Sequence, residues 1–203
     1  MRYVFLVFFS FFLTNISSQS SPNLILKKLI QEYEDFESFN KNDFPLGDFS
    51  ENRFKKEFNF YNETKNKLEA ILLDNLSEDE KTSYGLLIFI INNELNSYKF
   101  KTRYNPILSD SGFHNSLIYS VRNISNKNDA INYLKLLKAI PLYVDQNINL
   151  IQKGIEQGIS QPKIIFKGYD ESYNKHITKG FSDNYYYGPF QKLPENIKES
   201  DRD

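Results

Sequence analysis

Apolar residues recur at intervals of three and four along most of this chain, and this spacing restricts the chain to helices. Tyr84, Ile88, Ile91, Leu95 and Tyr98 form one such series, so they share one face of a predicted helix. No segment shows the sustained alternation of apolar and polar residues that is typical of a half-buried strand. We therefore predict an all-α fold, built from antiparallel helices that are joined by short loops.

The same spacing, together with capping residues, glycine and proline at the ends, divides the chain into six predicted helices. The six predicted helices cover approximately residues 24–43, 51–74, 78–104, 128–139, 141–158 and 161–177. Ser77 and Glu80 stand at the positions of a capping box, in which each side chain accepts a hydrogen bond from the backbone amide of the other residue. Asn126 or Asn128 is expected to cap the fourth helix, and Pro141 is expected in the first turn of the fifth.

The composition excludes several kinds of partner and site. The chain has 203 residues with 25 Lys and Arg against 26 Asp and Glu, so it lacks the basic excess with which proteins bind nucleic acid. Because cysteine is absent, a disulfide framework, a thiolate zinc site and a cysteine nucleophile are excluded. The two histidines, His114 and His176, lie too far apart in sequence to form a metal-binding pair on one helix.

The N-terminus has the pattern of a secretory signal peptide, which we place at residues 1–20. Met1-Arg2 is a short basic start, residues 3–13 are apolar except for Ser10, and Ser17, Ser18, Ser20 and Ser21 are small residues near which cleavage can occur. As a helix, this apolar run would span about 16 Å, whereas the hydrocarbon core of a bilayer is about 30 Å thick. We therefore expect residues 21–203 to be exported to the periplasm or beyond the cell, with no stable membrane insertion after cleavage. An uncleaved anchor or a buried helix stays the alternative for residues 1–20.

Motifs that carry chemistry are absent from the sequence, which has no His-Glu-x-x-His, no Gly-x-Ser-x-Gly and no phosphate-binding loop. We therefore predict no catalytic residue, no metal ligand and no cofactor for this chain alone. Four residues are candidates for lining a cleft: His114, in a glycine-containing loop, and the consecutive tyrosines Tyr185, Tyr186 and Tyr187. The alternative for each of them is a structural role. His114 would then hydrogen-bond to the backbone, and the tyrosines would pack against other residues or lie on the surface.

The apolar content and the C-terminal residues both suggest a part of a larger domain. Hydrophobic residues make up 40% of the chain and 14 residues are tyrosines, so the core is expected to be thin for this length. Ser200, followed by Asp201 and Asp203, has the pattern of an N-cap with an acidic first turn, which is how helices begin. We therefore expect residues 21–203 to be the helical N-terminal portion of a larger domain, truncated after Asp203. A frayed polar tail stays the alternative.

Two stretches of the sequence together are similar to a bacterial family. They are Tyr104-Asn105-Pro106-Ile107-Leu108 running into Gly112-Phe113-His114, and Ala139-Ile140-Pro141-Leu142-Tyr143-Val144-Asp145-Gln146 continued by Ile148, Leu150, Gly154, Gly158, Gln161 and Pro162. Further agreement is found at Leu46-Gly47-Asp48 with Arg53, at Gly188-Pro189-Phe190 and at Pro194. Over about residues 24–203 the chain resembles the N-terminal half of the family catalogued as domain of unknown function 885. The run from Pro141 to Pro162 is the most specific part of this resemblance.

Members of that family resemble zincin-type metallopeptidases and are often exported. In such enzymes a His-Glu-x-x-His helix of the C-terminal half would supply two zinc ligands and a glutamate that activates water. No position of this sequence matches those ligands, so the resemblance carries over no catalytic residue. It implies instead a chain that walls the substrate cleft and is inactive alone. Its partners would be the missing C-terminal catalytic half and a peptide substrate, and zinc would be the cofactor of the full-length protein.

A function of another class stays open, namely a stand-alone secreted helical module that binds peptide or protein without enzymatic activity. A complete enzyme built on His114 and acidic residues is a third hypothesis. It is the weakest, because one histidine in a loop offers no metal-binding geometry.

Overall fold

All regular secondary structure in the computed structural model is helical. The structure describes residues 21–108, 111–174, 176–195 and 197. Within these ranges there are seven α-helices and no strand, apart from an isolated bridge between Ile107 and Gly112. The predicted all-α fold is therefore confirmed. The predicted signal peptide at residues 1–20 and the predicted helix start at residues 200–203 lie outside the described residues.

Four helices of 13 or more residues and three short ones follow one another along the described part of the chain. They are α1 (Pro22–Glu34), α2 (Glu51–Glu69), α3 (Glu78–Lys99), α4 (Phe113–Ser116), α5 (Lys127–Glu156), α6 (Tyr169–Asn174) and α7 (Gly188–Gln191). The connections contain 3₁₀ helices at Leu73–Asn75, Thr102–Tyr104, Leu117–Ser120, Lys163–Phe166, Phe181–Asp183 and Tyr185–Tyr187. No helix in the part of the chain that the structure describes is both long and apolar enough to cross a membrane.

Side-chain caps explain where helices α2, α3 and α5 begin. The Ser50 hydroxyl accepts a hydrogen bond from the amide three residues later at the start of α2. Ser77 and Glu80 form the predicted capping box at the start of α3. At the start of α5, the Asn126 side chain accepts a hydrogen bond from the amide of Asp129 at 3.0 Å. Each cap satisfies an amide that has no partner within its helix. The capping box is confirmed, and Asn126 is the cap of α5.

Helices α1, α2 and α3 pack around the larger of two hydrophobic cores. Phe58 in the middle of α2 stacks on Tyr98 near the end of α3, with ring centroids 4.5 Å apart. Helix α1 packs against both of them. The buried residues of this core are Leu26, Leu29, Leu68, Ile71, Leu76, Leu87 and Ile91.

A second core lies between α5 and the C-terminal segment. The Tyr133 hydroxyl in α5 donates a hydrogen bond to the backbone carbonyl of Tyr186 at 2.8 Å. Helix α5 also contacts the 3₁₀ helix Thr102–Tyr104, which follows α3, and thereby connects the second core to the first. The buried residues of the second core are Ile124, Tyr133 and Ile197.

The prediction of separate helices before and after Pro141 is wrong, because α5 is one helix of 30 residues with Pro141 inside it. Proline in a helix interior removes a backbone hydrogen bond and costs about 3 kcal/mol. The buried side of α5 nevertheless continues at helical spacing through this position, so one helix retains a single buried face. The burial of that face outweighs the lost hydrogen bond. Its buried residues are Tyr133, Tyr143, Asn147, Leu150 and Gly154.

Helix α5 ends where the sequence predicts, whereas the next predicted helix is interrupted. Gly158 has a φ of +73°, and the amides of residues 158 and 159 bond back to carbonyls in the last turn, as in a Schellman motif. In place of one helix over residues 161–177, the chain forms the 3₁₀ helix Lys163–Phe166 and then α6. Gly168 lies between them with a φ of +73°, a left-handed conformation that cannot continue an α-helix.

The first two helices are shorter than predicted. Helix α1 ends at Glu34, yet Phe36 beyond it still reaches the bundle and stacks on Phe60, with ring centroids 3.7 Å apart. Helix α2 ends at Glu69, and Leu72, which keeps the helical spacing, is 68% exposed. The helical spacing of apolar residues therefore continues beyond the ends of both helices. After α1 it continues because Phe36 packs on the bundle from a loop, whereas after α2 the residue that continues it, Leu72, is not buried.

Candidate functional site

A cleft of about 340 Å³ lies where α2, α3, α5 and the 3₁₀ helix Thr102–Tyr104 meet. This volume is at the lower end of the roughly 300–1,000 Å³ that is common for ligand sites. Five of the fourteen lining residues are aromatic, and three of these rings come from α2 at positions that share one face of that helix. The aromatic lining residues are Phe49, Phe54, Phe58, Tyr61 and Tyr98.

Arg53 and Glu57 form a charged pair at one side of the cleft. Both the Nε and the Nη2 of Arg53 lie 2.8 Å from Glu57 Oε1, and Nη1 donates to the backbone carbonyl of Asp48 at 3.2 Å. The guanidinium carbon lies 4.8 Å from the ring centroid of Phe54, which is a cation–π distance. The side chains of Arg53 and Glu57 are 22% and 16% exposed, so the pair is largely shielded from water.

Arg103 is held between aromatic rings at another side of the cleft. Its guanidinium carbon lies 4.4 Å from the ring centroid of Tyr98 and 4.3 Å from that of Tyr104. Its Nη1 donates to the Tyr98 carbonyl and its Nη2 to the Tyr104 hydroxyl, both at 3.1 Å, while its Nε lies 3.4 Å from a Glu51 carboxylate oxygen. Each of the three nitrogens of both cleft arginines therefore has an acceptor within the protein, which accounts for three of the five N–H donors of each guanidinium.

Glu94 is a cleft carboxylate that makes no hydrogen bond or ion pair with any residue that the structure describes. The Tyr61 hydroxyl belongs to the same cleft. Burial, and after it the charges of Glu57 and Glu94, raise the pKa of Tyr61 to about 12. Tyr61 therefore stays protonated at neutral pH, as a phenol that can donate a hydrogen bond.

Asn147 of α5 adds an unsatisfied acceptor to the lining. Its side chain is fully buried, and its Nδ2 donates to the Tyr143 carbonyl at 2.8 Å. Its Oδ1 is buried and has no hydrogen-bond partner among the described residues. A buried polar atom without a partner costs about 1–3 kcal/mol, so this oxygen destabilises the packed helix locally.

The structure places His114 outside this cleft, in the short helix α4 rather than in an open loop. Its side chain is 9% exposed. The His114 Nε2 lies 2.8 Å from the Ser172 hydroxyl, and Nδ1 lies 2.9 Å from the Tyr169 hydroxyl. The Ser172 hydroxyl donates its hydrogen to the Tyr169 carbonyl, so it accepts from Nε2, and the Tyr169 hydroxyl then donates to Nδ1. His114 thus connects α4 to α6 through side-chain hydrogen bonds.

The three consecutive tyrosines have different surroundings. Tyr185 is 54% exposed and lines a separate cavity of about 680 Å³ between residues 121–124 and 182–192. The Tyr186 hydroxyl lies 3.2 Å from His176 Nδ1, and the two rings stack. Tyr187 packs on Phe190, with ring centroids 6.0 Å apart. Their role in lining a functional cleft stays a prediction.

Sequence reasoning did not single out Glu57, Glu94 or Asn147, which give the cleft its polar character. One feature of the sequence could have pointed to this cleft, namely that arginine is rare: the chain has only 5 Arg against 20 Lys. Arginine is the cation that stacks on aromatic rings and makes fixed hydrogen bonds, so isolated arginines in an aromatic-rich, lysine-rich chain indicate a specific site. Arg53 and Arg103 both line the cleft.

Among residues 21–108, 111–174, 176–195 and 197, no three His, Cys, Asp or Glu side chains are grouped so that they could hold a metal ion. The zinc that the family resemblance implies therefore has no fitting set of ligands among these residues. The polar groups of the cleft are suited to hydrogen bonding and ion pairing with a ligand.

The structure defines an all-α protein with a small cleft that is lined by aromatic and charged residues. The chain belongs to the bacterial family of unknown function catalogued as domain of unknown function 885, whose sequence model matches residues 36–203. The family named by the sequence resemblance is thereby confirmed. Comparison with curated proteins and with solved structures found no matching relative.

Proposed function

We propose that this chain is the helical, substrate-facing portion of a zinc-dependent peptidase and that it binds peptide in the cleft between α2, α3 and α5. The cleft carries this proposal: five aromatic residues line it, and the Glu94 carboxylate in it makes no hydrogen bond with a described residue. A peptide supplies both apolar side chains and N–H donors, which match such a lining. Membership of the family and the resemblance over residues 141–162 support the peptidase class.

The volume of the cleft sets the scale of recognition. About 340 Å³ accommodates one or two side chains rather than a whole peptide. The chain would therefore position one end or one side chain of a substrate, whereas hydrolysis would need zinc ligands that the described residues do not provide. We accordingly propose that residues 21–203 bind peptide but do not cleave it alone.

The peptidase proposal is tested by reading the source DNA beyond the codon for Asp203 and by assaying the protein that the intact frame encodes. We expect a His-Glu-x-x-His helix in that frame and peptide hydrolysis that a chelator abolishes and zinc restores. The 203-residue chain, assayed in parallel, should bind peptide without turnover. An intact-frame protein that lacks the motif, or that shows no zinc-dependent hydrolysis, would overturn this proposal.

A stand-alone secreted binding module is the second candidate. The observation in its favour is that all the described residues that line the cleft lie between Phe49 and Leu150. If the intact-frame protein binds peptide and never hydrolyses it, this second function replaces the first.

We propose in addition that the chain is exported and loses residues 1–20. Mass spectrometry of protein recovered from the periplasm or medium of the source bacterium should show a mature N-terminus near Ser21. Protein found in the cytoplasm with Met1 intact would contradict export.

A further inference from the structure

Helix α3 has apolar residues on two opposite sides. Its buried side contains Leu87 and Ile91, which belong to the larger hydrophobic core. On the opposite side, Leu86, Phe89 and the C-terminal capping residue Phe100 are 61%, 71% and 69% exposed. A surface helix of a soluble protein normally has polar residues on the side away from the core, and exposed apolar clusters mark interaction surfaces. The exposed side of α3 is therefore expected to be covered by a partner.

The spacing of this exposed side is that of a coiled-coil seam. Its residues follow one another at steps of four, three, four, three and four, and all of them are exposed. Such a spacing lines one side of a helix along its length, so a second helix can pack against it, and a polar asparagine within the seam fixes the register. The outer face of α3, as we call this set, consists of Thr82, Leu86, Phe89, Asn93, Asn96 and Phe100.

Two further features indicate which helix fits there. Gly85 adjoins the outer face, and a side-chain carbon at this position would meet no atom within 4 Å, so another backbone can approach closely. The ends of α3 carry opposite charges, with Glu78 in the first turn and Lys99 in the last. Two antiparallel copies of α3 would bring Glu78 of each copy beside Lys99 of the other, whereas parallel copies would bring like charges together. The charges of α3 are thus complementary to those of a second, antiparallel α3.

We infer that the outer face of α3 binds a second copy of this chain, with the two α3 helices antiparallel. Because α3 has 22 residues, full overlap of the two helices puts the two-fold axis close to Phe89. Leu86 and Phe89 of one copy then pack on Phe89 and Leu86 of the other, as in an interface that uses the same residues on both sides. No residue of the outer face lines the cleft, so this inference does not depend on the proposed peptide binding.

The first test is sedimentation equilibrium of the 203-residue chain, which has a mass of 24.0 kDa as a monomer. We expect twice this mass, with a dissociation constant in the micromolar range or tighter. Phe89→Glu places two like charges near the two-fold axis and should raise the dissociation constant at least about tenfold. Ile155→Glu is the matched control and should leave it unchanged, because Ile155 is 66% exposed and lies on α5. Residues 1–20 are identical in all three proteins, so the difference between them reports on α3.

Chemical cross-linking tests the antiparallel orientation, since the chain contains no cysteine of its own. Full overlap brings Thr82 of one copy close to Asn93 of the other. A double variant with Thr82→Cys and Asn93→Cys should therefore form a covalent dimer with a short bismaleimide cross-linker. Thr82→Cys alone is the control and should not, because the two copies of residue 82 would lie about 15–20 Å apart along the helix axis.

The inference is overturned if the chain is monomeric at every concentration, which would leave the outer face to a different protein. It is also overturned if Phe89→Glu dimerises as tightly as the wild type, or if Ile155→Glu weakens the dimer to the same extent. Efficient cross-linking of Thr82→Cys alone would contradict the antiparallel orientation. None of these outcomes bears on peptide binding or hydrolysis, so the proposed function would stand or fall separately.

Discussion

Gly154 of α5 lies so close to Tyr104 that a side-chain carbon at position 154 would be 2.7 Å from the Tyr104 carbonyl oxygen. This approach brings α5 directly onto the 3₁₀ helix Thr102–Tyr104, which borders the cleft. Backbone atoms cannot yield as the end of a flexible side chain can. The width of the cleft between α5 and the segment after α3 therefore depends on the absence of a side chain at one position.

Replacing Gly154 with alanine should destabilise the protein. The added methyl group would push α5 away from Tyr104, and overpacking of this kind costs about 1–3 kcal/mol of the free energy of unfolding. Gly85 provides the matched control, because it lies inside α3 with open space around its α-carbon. Gly85→Ala should raise the free energy of unfolding by about 0.5–1 kcal/mol, since alanine is the better helix former. Urea unfolding followed by circular dichroism measures both, and a Gly154→Ala variant as stable as the wild type would refute the close approach.

The helices that could be predicted from the sequence are those specified by local signals. The start of α3 was predictable because Ser77 and Glu80 satisfy each other's amides within a single turn. The continuity of α5 was not, because Pro141 is a local break signal and the burial that overrides it comes from segments distant in sequence. Periodicity gave the fold class, whereas tertiary packing decided several helix ends.

Gln146 should contribute more to stability than an ordinary polar residue on a helix. Its Nε2 donates to an Asp48 carboxylate oxygen at 3.0 Å, and its Oε1 accepts from the Phe49 amide at 2.8 Å, so it joins α5 to the turn before α2. Gln146→Leu leaves both groups without this partner and should lower the free energy of unfolding by about 1–3 kcal/mol.

The control for this variant is Gln152→Leu, on the same helix at an exposed position. It should change the free energy of unfolding by no more than about 0.5 kcal/mol. Chemical denaturation of the two variants side by side measures the difference. Equal effects would show that the two hydrogen bonds of Gln146 do not stabilise the fold.

Removing the proline inside α5 should stabilise the protein. Pro141→Ala restores an amide that can donate to the carbonyl four residues earlier and relieves the clash of the ring with that turn. We expect the free energy of unfolding to rise by about 1–3 kcal/mol. Pro162→Ala, at a position outside the α-helices, should instead lower it by about 0.4–1 kcal/mol, because proline there restricts the unfolded chain. Thermal unfolding distinguishes the two, and a destabilised Pro141→Ala variant would contradict the continuous helix.

The composition of the cleft could not be derived from the sequence because its polar groups come from three helices. Glu57 lies on α2, Glu94 on α3 and Asn147 on α5, and nothing in the spacing of these residues relates one to another. The lack of a partner for the Asn147 Oδ1 is a property of the packed state alone. His114 stood out in the sequence for its rarity, and its hydrogen bonds to Tyr169 and Ser172 likewise emerge from packing.

Buried tyrosines should make the stability of the protein fall at high pH. Burial raises the pKa of Tyr61, Tyr133 and Tyr143 to about 12 each, above the value near 10 of an unfolded tyrosine. Because these tyrosines ionise near pH 10 in the unfolded chain and only near pH 12 in the folded protein, the folded state is stabilised fully below pH 10. This contribution to the free energy of unfolding is lost as the pH rises from about 10 towards about 12. A titration from pH 8 to about 13, followed by phenolate absorbance, should therefore show a separate step near pH 12 from the three buried tyrosines. In Tyr61→Phe this step should be smaller by one tyrosine.

The control is the same titration in guanidinium chloride, in which every tyrosine should ionise near pH 10. Folded protein that shows no step near pH 12 would contradict the burial of these hydroxyl groups.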